Sequence, residues 1–276
     1  MILNRTNLSQ AIKGPVHPSL WTAIIPAAGK GTRLNYALPK ALFPLGGVPL
    51  VQWAINKIDA LANQVVLVIS PTDQALFAEL IRKQKNPEKF IVALQTEPQG
   101  TVDAILCAEK FVTTRNTLVI WGDHYSVRSQ TVNISAEVHE SQPDAAVTFP
   151  TCERDFPYIA ISRSEKGKIL SVLQSRELSQ PPPSGENDCG IFCFRSQSLF
   201  SILHRAVREN LGRGFLTQEL NLLSLLPLFD SGEQQAVTLQ IASWKETLGI
   251  NTPAEAQDAE VEIQKELWNQ EKNQVG

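Results

Sequence analysis

Runs of consecutive β-branched and aliphatic residues alternate with amphipathic helical patterns through the first half of the chain, and this alternation constrains the fold most. Strand-like runs are expected at 21–26, 64–70, 90–95 and 117–121. Between them, the spacing of apolar residues predicts helices over 50–61, 72–83 and 101–111. Apolar strands connected by helices are typical of parallel strands covered on both faces. We therefore expect an α/β fold with a Rossmann-like, mostly parallel mixed sheet and helices on both faces.

The second half of the chain has a different pattern. Strands with short connections are expected at 145–149, 158–163, 169–173, 190–195 and 236–241, and helices at 197–209 and 217–226. A final helix is predicted because Thr252-Pro253-Ala254-Glu255 combines a capping box with proline at the first helical position. These patterns divide the chain into an N-terminal leader (1–20), one α/β domain (21–252) and a C-terminal helix (253–276).

The composition of the 276-residue chain excludes several classes of protein. With 43% hydrophobic residues it can bury a sizeable core without disulfides or a structural metal. The net charge of -3 gives no general attraction to nucleic acid or anionic lipid. The first twenty residues lack the apolar core of a signal peptide, and no apolar run approaches the roughly 20 residues that span a bilayer. We expect a cytoplasmic protein with neither nucleic acid nor a membrane as partner.

A turn rich in small residues follows the first strand directly, with the sequence Ala27-Ala28-Gly29-Lys30-Gly31-Thr32-Arg33. Small residues let backbone N–H groups approach an anion, and the two basic side chains add positive charge. A dinucleotide fingerprint that begins at Gly29 would need a third glycine where Leu34 stands, and the P-loop string GxxxxGK[ST] does not occur. The turn alone fits a triphosphate site or an ordinary loop between a strand and a helix.

The residues around this turn form a longer motif, AAGKGTRLNYALPKALFPLGGVPL. It resembles the signature of the nucleoside-diphosphate-sugar pyrophosphorylase family, a Gly-x-Gly-x-x-Arg turn followed by a Pro-Lys pair. Within that family it is most similar to the uridylyltransferase domains that make UDP-N-acetylglucosamine. The resemblance implies a GT-A-like nucleotidyltransferase fold. It also implies catalytic roles for Arg33, at the β- and γ-phosphates, and for Lys40, at the acceptor phosphate and the α-phosphate.

The nucleotide-binding residues follow from the same resemblance. The implied set is Ala27, Ala28, Gly29, Lys30, Gly31, Thr32, Gln95, Gly100 and Thr101. Gln95 can offer its amide to a carbonyl and to an N–H on a pyrimidine edge. Gly100 would let the base or sugar lie against the main chain, and Thr101 would cap the next helix. Outside the family context, Gln95 fits a polar strand end equally well.

Asp123 follows the strand expected at 117–121, at the carboxyl end of a parallel strand, where open α/β sheets bind ligands. A carboxylate there suits Mg²⁺, a hard ion that takes oxygen ligands. By themselves Asp123 also fits a loop cap and Asn251 a helix boundary. The resemblance implies that both are metal ligands and that the cofactor is Mg²⁺.

The acceptor side departs from the family pattern. The implied acceptor-binding residues are Tyr158, Gln174, Asp188 and Thr217. Asp188 stands where the family has a sugar-binding Asn, and Gln174 stands where it has a Glu. Ile159 replaces a glycine whose backbone contacts an N-acetyl group. The identity of the acceptor therefore stays open.

The predicted activity is transfer of a nucleoside monophosphate from an NTP, with UTP or dTTP favoured, to a sugar 1-phosphate with release of pyrophosphate. The partners are then the NTP and a small phosphorylated substrate, and the oligomeric state is open. One alternative is a cytidylyltransferase, or a related nucleotidyltransferase, that acts on a non-sugar phosphate. The alternative of another class is a catalytically inactive nucleotide-binding protein.

Overall fold

The computed structural model describes the backbone of residues 1–180 and 182–274, and side chains as far as residue 265. The strands are β1 (Ile2–Asn4), β2 (Trp21–Pro26), β3 (Pro44–Leu45), β4 (Val48–Pro49), β5 (Gln64–Ile69), β6 (Phe90–Leu94), β7 (Asn116–Ile120), β8 (Ala145–Asp155), β9 (Ile159–Arg163), β10 (Ile169–Gln174), β11 (Ser184–Asp188), β12 (Ile191–Arg195) and β13 (Gln235–Gln240). The α-helices are α1 (Leu8–Ala11), α2 (Leu50–Ile58), α3 (Gln74–Arg82), α4 (Thr101–Ala108), α5 (Ser129–Ser141), α6 (Ser196–Glu209) and α7 (Pro253–Gln274).

One large mixed sheet organises the molecule, in the order β1-β13-β8-β12-β7-β2-β5-β6, with β11 paired to β8. The strands β7, β2, β5 and β6 are parallel neighbours, whereas β12 runs antiparallel to both β7 and β8. Two small hairpins, β3-β4 and β9-β10, lie outside this sheet. The expected mostly parallel α/β fold is confirmed.

Helices cover both faces of the sheet because the strands are apolar on both faces. In β2, Ile24 packs into a core with α4 and α6, while its neighbours Ala23 and Ile25 pack into a second core with α2, α3 and α5. All three side chains are fully buried. Because successive side chains of a strand point to opposite faces, β2 packs against a layer of helices on each side of the sheet.

The first residues, expected to form a leader, supply the edge strand β1. It pairs in parallel with β13, and Leu3 is buried in a small core with α1 and α5. The Met1 ammonium donates to the carbonyl of Ala236 at 2.7 Å. Hydrogen bonds and apolar burial thus attach the chain start to the sheet.

Two helical segments differ from the sequence-based expectation. Helix α5 was not expected from the sequence, because its buried face mixes the polar Thr131, Ser135 and His139 with the apolar Val132, Ala136 and Val138. The prediction of an α-helix at 217–226 is wrong. A 3₁₀-helix, Leu223–Asp230, stands there instead and contains Pro227, which has no N–H for a helical bond.

The capping box at the start of α7 is confirmed. The Thr252 hydroxyl accepts from the Glu255 N–H at 3.2 Å, and the Glu255 carboxylate accepts from the Thr252 N–H at 2.9 Å. Three apolar residues of α7 pack against the loops that follow β2, β3 and β7; these are Ala256, Ala259 and Ile263. Within the described part of the chain, no helix has the length and apolar character needed to cross a membrane.

Candidate active site

A cleft of about 1340 Å³ lies at the carboxyl ends of the parallel strands. The turn after β2, the loop after β7 and the residue after β6 all line it, because parallel strands end at the same edge of a sheet. Among the predicted site residues, the lining includes Ala27, Ala28, Gly29, Arg33, Lys40, Gln95, Gly100, Thr101, Asp123, Tyr158, Gln174, Asp188 and Asn251. Lys30 and Thr32 are exposed on the turn, outside the lining.

The turn after β2 is built to receive Lys40. Gly31 has the left-handed φ of 60°, and a Cβ added there would lie 2.6 Å from Lys40 Cβ. The N–H of Lys40 donates to the carbonyl of Gly29 at 3.3 Å. The glycine therefore provides both the backbone conformation and the space that bring the turn and the lysine together.

Lys40 is the centre of a cluster of predicted site residues. Its ammonium forms a hydrogen bond and ion pair with Asp123 and donates to Asn251 Oδ1 at 2.8 Å. Arg33 Nη2 lies 3.3 Å from the same Asn251 oxygen. The structure thus brings together the two predicted catalytic residues and the two predicted metal ligands, which come from three distant parts of the sequence.

Neighbouring side chains stabilise the ionised form of Asp123. Burial alone would raise the pKa of this carboxyl, but the positive charge of Lys40, with a smaller contribution from His124, holds the pKa below its ordinary value. The side chains of Lys40 and Asp123 are 15% and 27% exposed. An ionised, partly buried carboxylate therefore faces the cleft.

These oxygens suit a divalent cation such as Mg²⁺. The Asp123 carboxylate and the side-chain carbonyl oxygen of Asn251 both accept hydrogen bonds from the Lys40 ammonium. The two oxygens therefore lie close together, at a place where positive charge is favourable. Mg²⁺ is bound through one or two protein oxygens, with waters and phosphate oxygens completing its octahedron. No group of three or more His, Cys, Asp or Glu side chains that could hold a metal occurs in the described residues.

Two hydrogen bonds hold the segment that carries Asn251 in place. The Ser126 hydroxyl, in the loop that begins with Asp123, donates to the Leu248 carbonyl at 2.8 Å. The backbone N–H of Asn251 donates to Glu255 Oε2 at 2.6 Å, extending the capping box of α7 by one residue. The C-terminal helix therefore orients the residue that meets Lys40.

The segment after β6 carries Gln95, which is buried and lines the cleft. Its amide nitrogen lies 2.7 Å from Asp103 Oδ2 and 3.3 Å from the Gly100 carbonyl. Asp103, in the first turn of α4, was missed from the sequence. The only signal for it was an acidic residue at a helix N-terminus, a position that is common for reasons of helix stability alone.

One local interpretation of this segment needs correction. The residue at the N-cap of α4 is Gly100, not Thr101, and the Thr101 hydroxyl accepts from the Leu222 N–H at 2.9 Å. A Cβ at Gly100, where φ is 111°, would collide with the backbone of Leu220. Packing of the loop at Leu220 is therefore sufficient to require this glycine.

The predicted acceptor residues are mostly engaged with their own neighbours. Gln174 donates to the Ser224 hydroxyl at 2.8 Å and accepts from the Asn221 amide at 2.7 Å. Asp188 accepts from the Gly190 N–H at 2.5 Å, and burial raises its pKa. Tyr158 is 40% exposed at the cleft.

Thr217 lies outside the cleft lining, and its contact with the acceptor stays a prediction. Its hydroxyl donates to Glu177 Oε1 at 2.6 Å, and the N–H of Leu216 donates to Glu177 Oε2 at 2.7 Å. The loop of Thr217 is therefore fastened to Glu177.

His124 is a further cleft residue that the sequence did not single out. Its Nδ1 lies 3.1 Å from the Cys189 carbonyl. Because a carbonyl only accepts, this nitrogen carries the hydrogen. The ring thus links the loop of Asp123 to the segment that carries Asp188.

Comparison with known proteins agrees with the resemblance noted from the motifs. Residues 23–216 match the model of the MobA-like NTP transferase domain. The bifunctional protein GlmU of Bacillus velezensis is 31% identical over 89% of this chain and 52% of its own length. The GlmU proteins of Pelobacter propionicus and Streptococcus equi subsp. zooepidemicus are 30% and 26% identical, over 86% and 90% of this chain and 51% and 53% of their own lengths.

The chain spans about half the length of these curated relatives. The family match begins within β2, covers the turn after it and ends at residue 216, so it includes Tyr158, Gln174 and Asp188 but neither Thr217 nor Asn251. The cluster of Lys40, Asp123 and Asn251 lies in the cleft at the carboxyl edge of the parallel strands. The chain belongs to the MobA-like NTP transferase domain family.

Proposed function

We propose that the chain transfers a nucleoside monophosphate unit from UTP or dTTP to a sugar 1-phosphate and releases pyrophosphate. The observation that carries this proposal is the meeting of Lys40, Asp123 and Asn251 at the edge of the cleft. A protein that only binds nucleotides has no need for a lysine, a carboxylate and an amide oxygen that converge on one point. Such a set suits a reaction in which negative charge must be neutralised.

In this reaction an oxygen of the acceptor phosphate attacks the α-phosphorus of the NTP. A new P–O bond forms, the bond between the α-phosphorus and its bridging oxygen to the β-phosphate breaks, and pyrophosphate leaves with that electron pair. A phosphate monoester is already ionised at neutral pH, so the attack requires no general base. Catalysis then rests on positioning and on stabilisation of charge.

Lys40 is the residue best placed to act on the reacting groups. Its side chain lies between the Gly-rich turn and Asp123, so its ammonium can contact the acceptor phosphate and the α-phosphate together. Arg33 and the backbone of Gly29 and Gly31 would hold the β- and γ-phosphates. Asp123 and Asn251 would hold Mg²⁺, which supplies charge neutralisation of the phosphates when bound.

The acceptor half of the cleft supports a second candidate, a nucleotidyltransferase that acts on a non-sugar phosphate. Gln174 is tied to Asn221 and Ser224, so little of its amide is free to bind sugar hydroxyl groups. Asp188 offers a carboxylate where a sugar-binding amide is expected from the resemblance. Both features favour an acceptor that differs from N-acetylglucosamine 1-phosphate.

One screen tests both candidates. Pyrophosphate release is measured with each of the four NTPs and Mg²⁺, against glucose 1-phosphate, N-acetylglucosamine 1-phosphate, glycerol 3-phosphate and phosphocholine. Release with UTP or dTTP and a sugar phosphate supports the first candidate. Release confined to a non-sugar phosphate supports the second, and no release with any pair contradicts both.

A further inference from the structure

The amide of Gln95 has a fixed orientation in the cleft. One end of the amide faces two groups at once, the Asp103 carboxylate at 2.7 Å and the Gly100 carbonyl at 3.3 Å. A carboxylate and a carbonyl accept hydrogen bonds and do not donate them. The end that faces them must therefore be the NH₂ group, and the chemistry of the neighbours distinguishes the amide nitrogen from the amide oxygen.

This orientation leaves only a hydrogen-bond acceptor, the amide oxygen of Gln95, for a ligand to contact. Both hydrogens of the Gln95 amide are directed to Asp103 and Gly100, so the free polar atom is Oε1. Among the residues that the structure describes, none donates to this oxygen. Gln95 lines the cleft while only 6% of the residue is exposed, so its oxygen is offered in a confined and partly dry place.

The support for the amide is rigid. Asp103 lies in the first turn of α4, where a negative charge is favoured by the helix dipole. The neighbouring Val102, Ala104 and Ile105 are buried in the core. The Gly100 carbonyl is held by the Ala104 N–H at 3.2 Å. The amide is therefore oriented before any ligand binds, and reversing it would set its oxygen against two acceptors.

We propose that Asp103 is a positioning residue that selects the nucleobase through Gln95. Uracil and thymine carry an N–H donor at ring position 3, which can bond to Gln95 Oε1. Cytosine carries an unprotonated acceptor nitrogen at the same position, so in the same pose it would set an acceptor against an acceptor, and its 4-amino donor would reach Gln95 Oε1 only if the base shifted. The inference rests on the proposed function in taking this cleft as the nucleotide site, and it assigns to Asp103 the preference for UTP over CTP.

The test is a binding measurement on the full chain, independent of turnover. Affinities for UTP and CTP are measured by calorimetry in the presence of Mg²⁺ for the wild type, Asp103→Asn and Asp103→Ala. We expect the wild type to bind UTP at least about 10-fold more tightly than CTP, because an unmatched buried polar group costs about 1–3 kcal/mol. In Asp103→Asn the new NH₂ can donate to Gln95, so the glutamine amide can reverse and the ratio should fall below about 3-fold.

The matched control is Glu109→Gln, which removes a carboxylate just after α4 whose partner is His204 rather than Gln95. This variant should keep the wild-type ratio of affinities. A second measurement needs no variant: methylation of UTP at N3 removes the donor and should weaken binding to the wild type about as much as the exchange of UTP for CTP.

The outcomes separate the two proposals. Equal affinity of the wild type for UTP and CTP, or a ratio unchanged in both Asp103 variants, overturns the role of Asp103. Absence of nucleotide binding overturns it as well. If the base preference depends on Asp103 but no acceptor gives pyrophosphate release, the inference stands and the proposed reaction is wrong.

Discussion

The two halves of the cleft use their polar side chains in different ways. In the nucleotide half, Lys40, Asp123 and Asn251 meet at one point on the surface of the cleft. In the proposed acceptor half, Gln174 lines the cleft but is bonded to Asn221 and Ser224, and Thr217, outside the lining, is bonded to Glu177. Under the proposed function, the chemistry is concentrated in the nucleotide half. The shape of the acceptor half is set by structural bonds, and its chemical selectivity rests on fewer groups.

The largest effect is expected from Lys40→Ala. Removal of the ammonium should lower kcat for pyrophosphate release by about 100- to 1000-fold, the cost of losing one preorganised charge-stabilising donor. The KM for the NTP should change only a few-fold, because the turn and Arg33 remain. Steady-state kinetics give both constants, with the exposed Lys166→Ala as the matched control. An unchanged kcat would remove Lys40 from the mechanism.

A paired glycine experiment tests the turn with an intermediate effect. Gly31→Ala places a methyl group 2.6 Å from Lys40 Cβ and adopts a left-handed φ at a cost of about 1–2 kcal/mol. We expect a lower melting temperature and about a 10-fold fall in kcat.

Gly29→Ala is the matched variant, because a Cβ there meets no atom within 4 Å. It should leave the melting temperature unchanged and raise the KM for the NTP if phosphates approach this backbone. Equal melting temperatures for both variants would contradict the role assigned to Gly31.

The acceptor half should respond to Gln174→Leu mainly through stability. The change leaves the buried Asn221 amide and the partly buried Ser224 hydroxyl without this partner, which should lower the free energy of unfolding by about 1–3 kcal/mol. Urea unfolding measures this loss, and kinetics should show a larger rise in the KM of the acceptor than in that of the NTP. A greater effect on the NTP would remove the division between the halves.

The smallest effect is expected from Thr217→Val. Its hydroxyl bonds to Glu177 rather than lining the cleft, so the KM of the acceptor should change by less than about 2-fold, within the range of ordinary surface substitutions. Measurement with the acceptor found in the screen checks this. A rise of 10-fold or more would return Thr217 to the acceptor site and show that its loop moves.

The parts of the fold that were predicted from the sequence are those with a local signal. The apolar run of β2 and the small residues of the turn specify their own conformations, and the Thr252 capping box marks the start of α7. Helix α5 gave no such signal, because the polar Ser135 and His139 lie among its buried residues, and the partner of His139 Nδ1, the Thr148 hydroxyl, is brought near only in the folded chain. The partner of Gln95 was missed for the same reason. Asp103 is eight residues away, and nothing in that spacing indicates a hydrogen bond.

The contact between Lys40 and Asn251 determines when, during synthesis of the chain, the candidate active site can form. The two residues are 211 positions apart, and Asn251 is oriented by a helix that begins after it. A nascent chain can complete β2, β5, β6 and β7 while the last ligand is still inside the ribosome. The candidate reaction centre can therefore form only after residue 251 and the helix that orients it have been synthesised, and fragments that stop earlier would fold around an unfinished site.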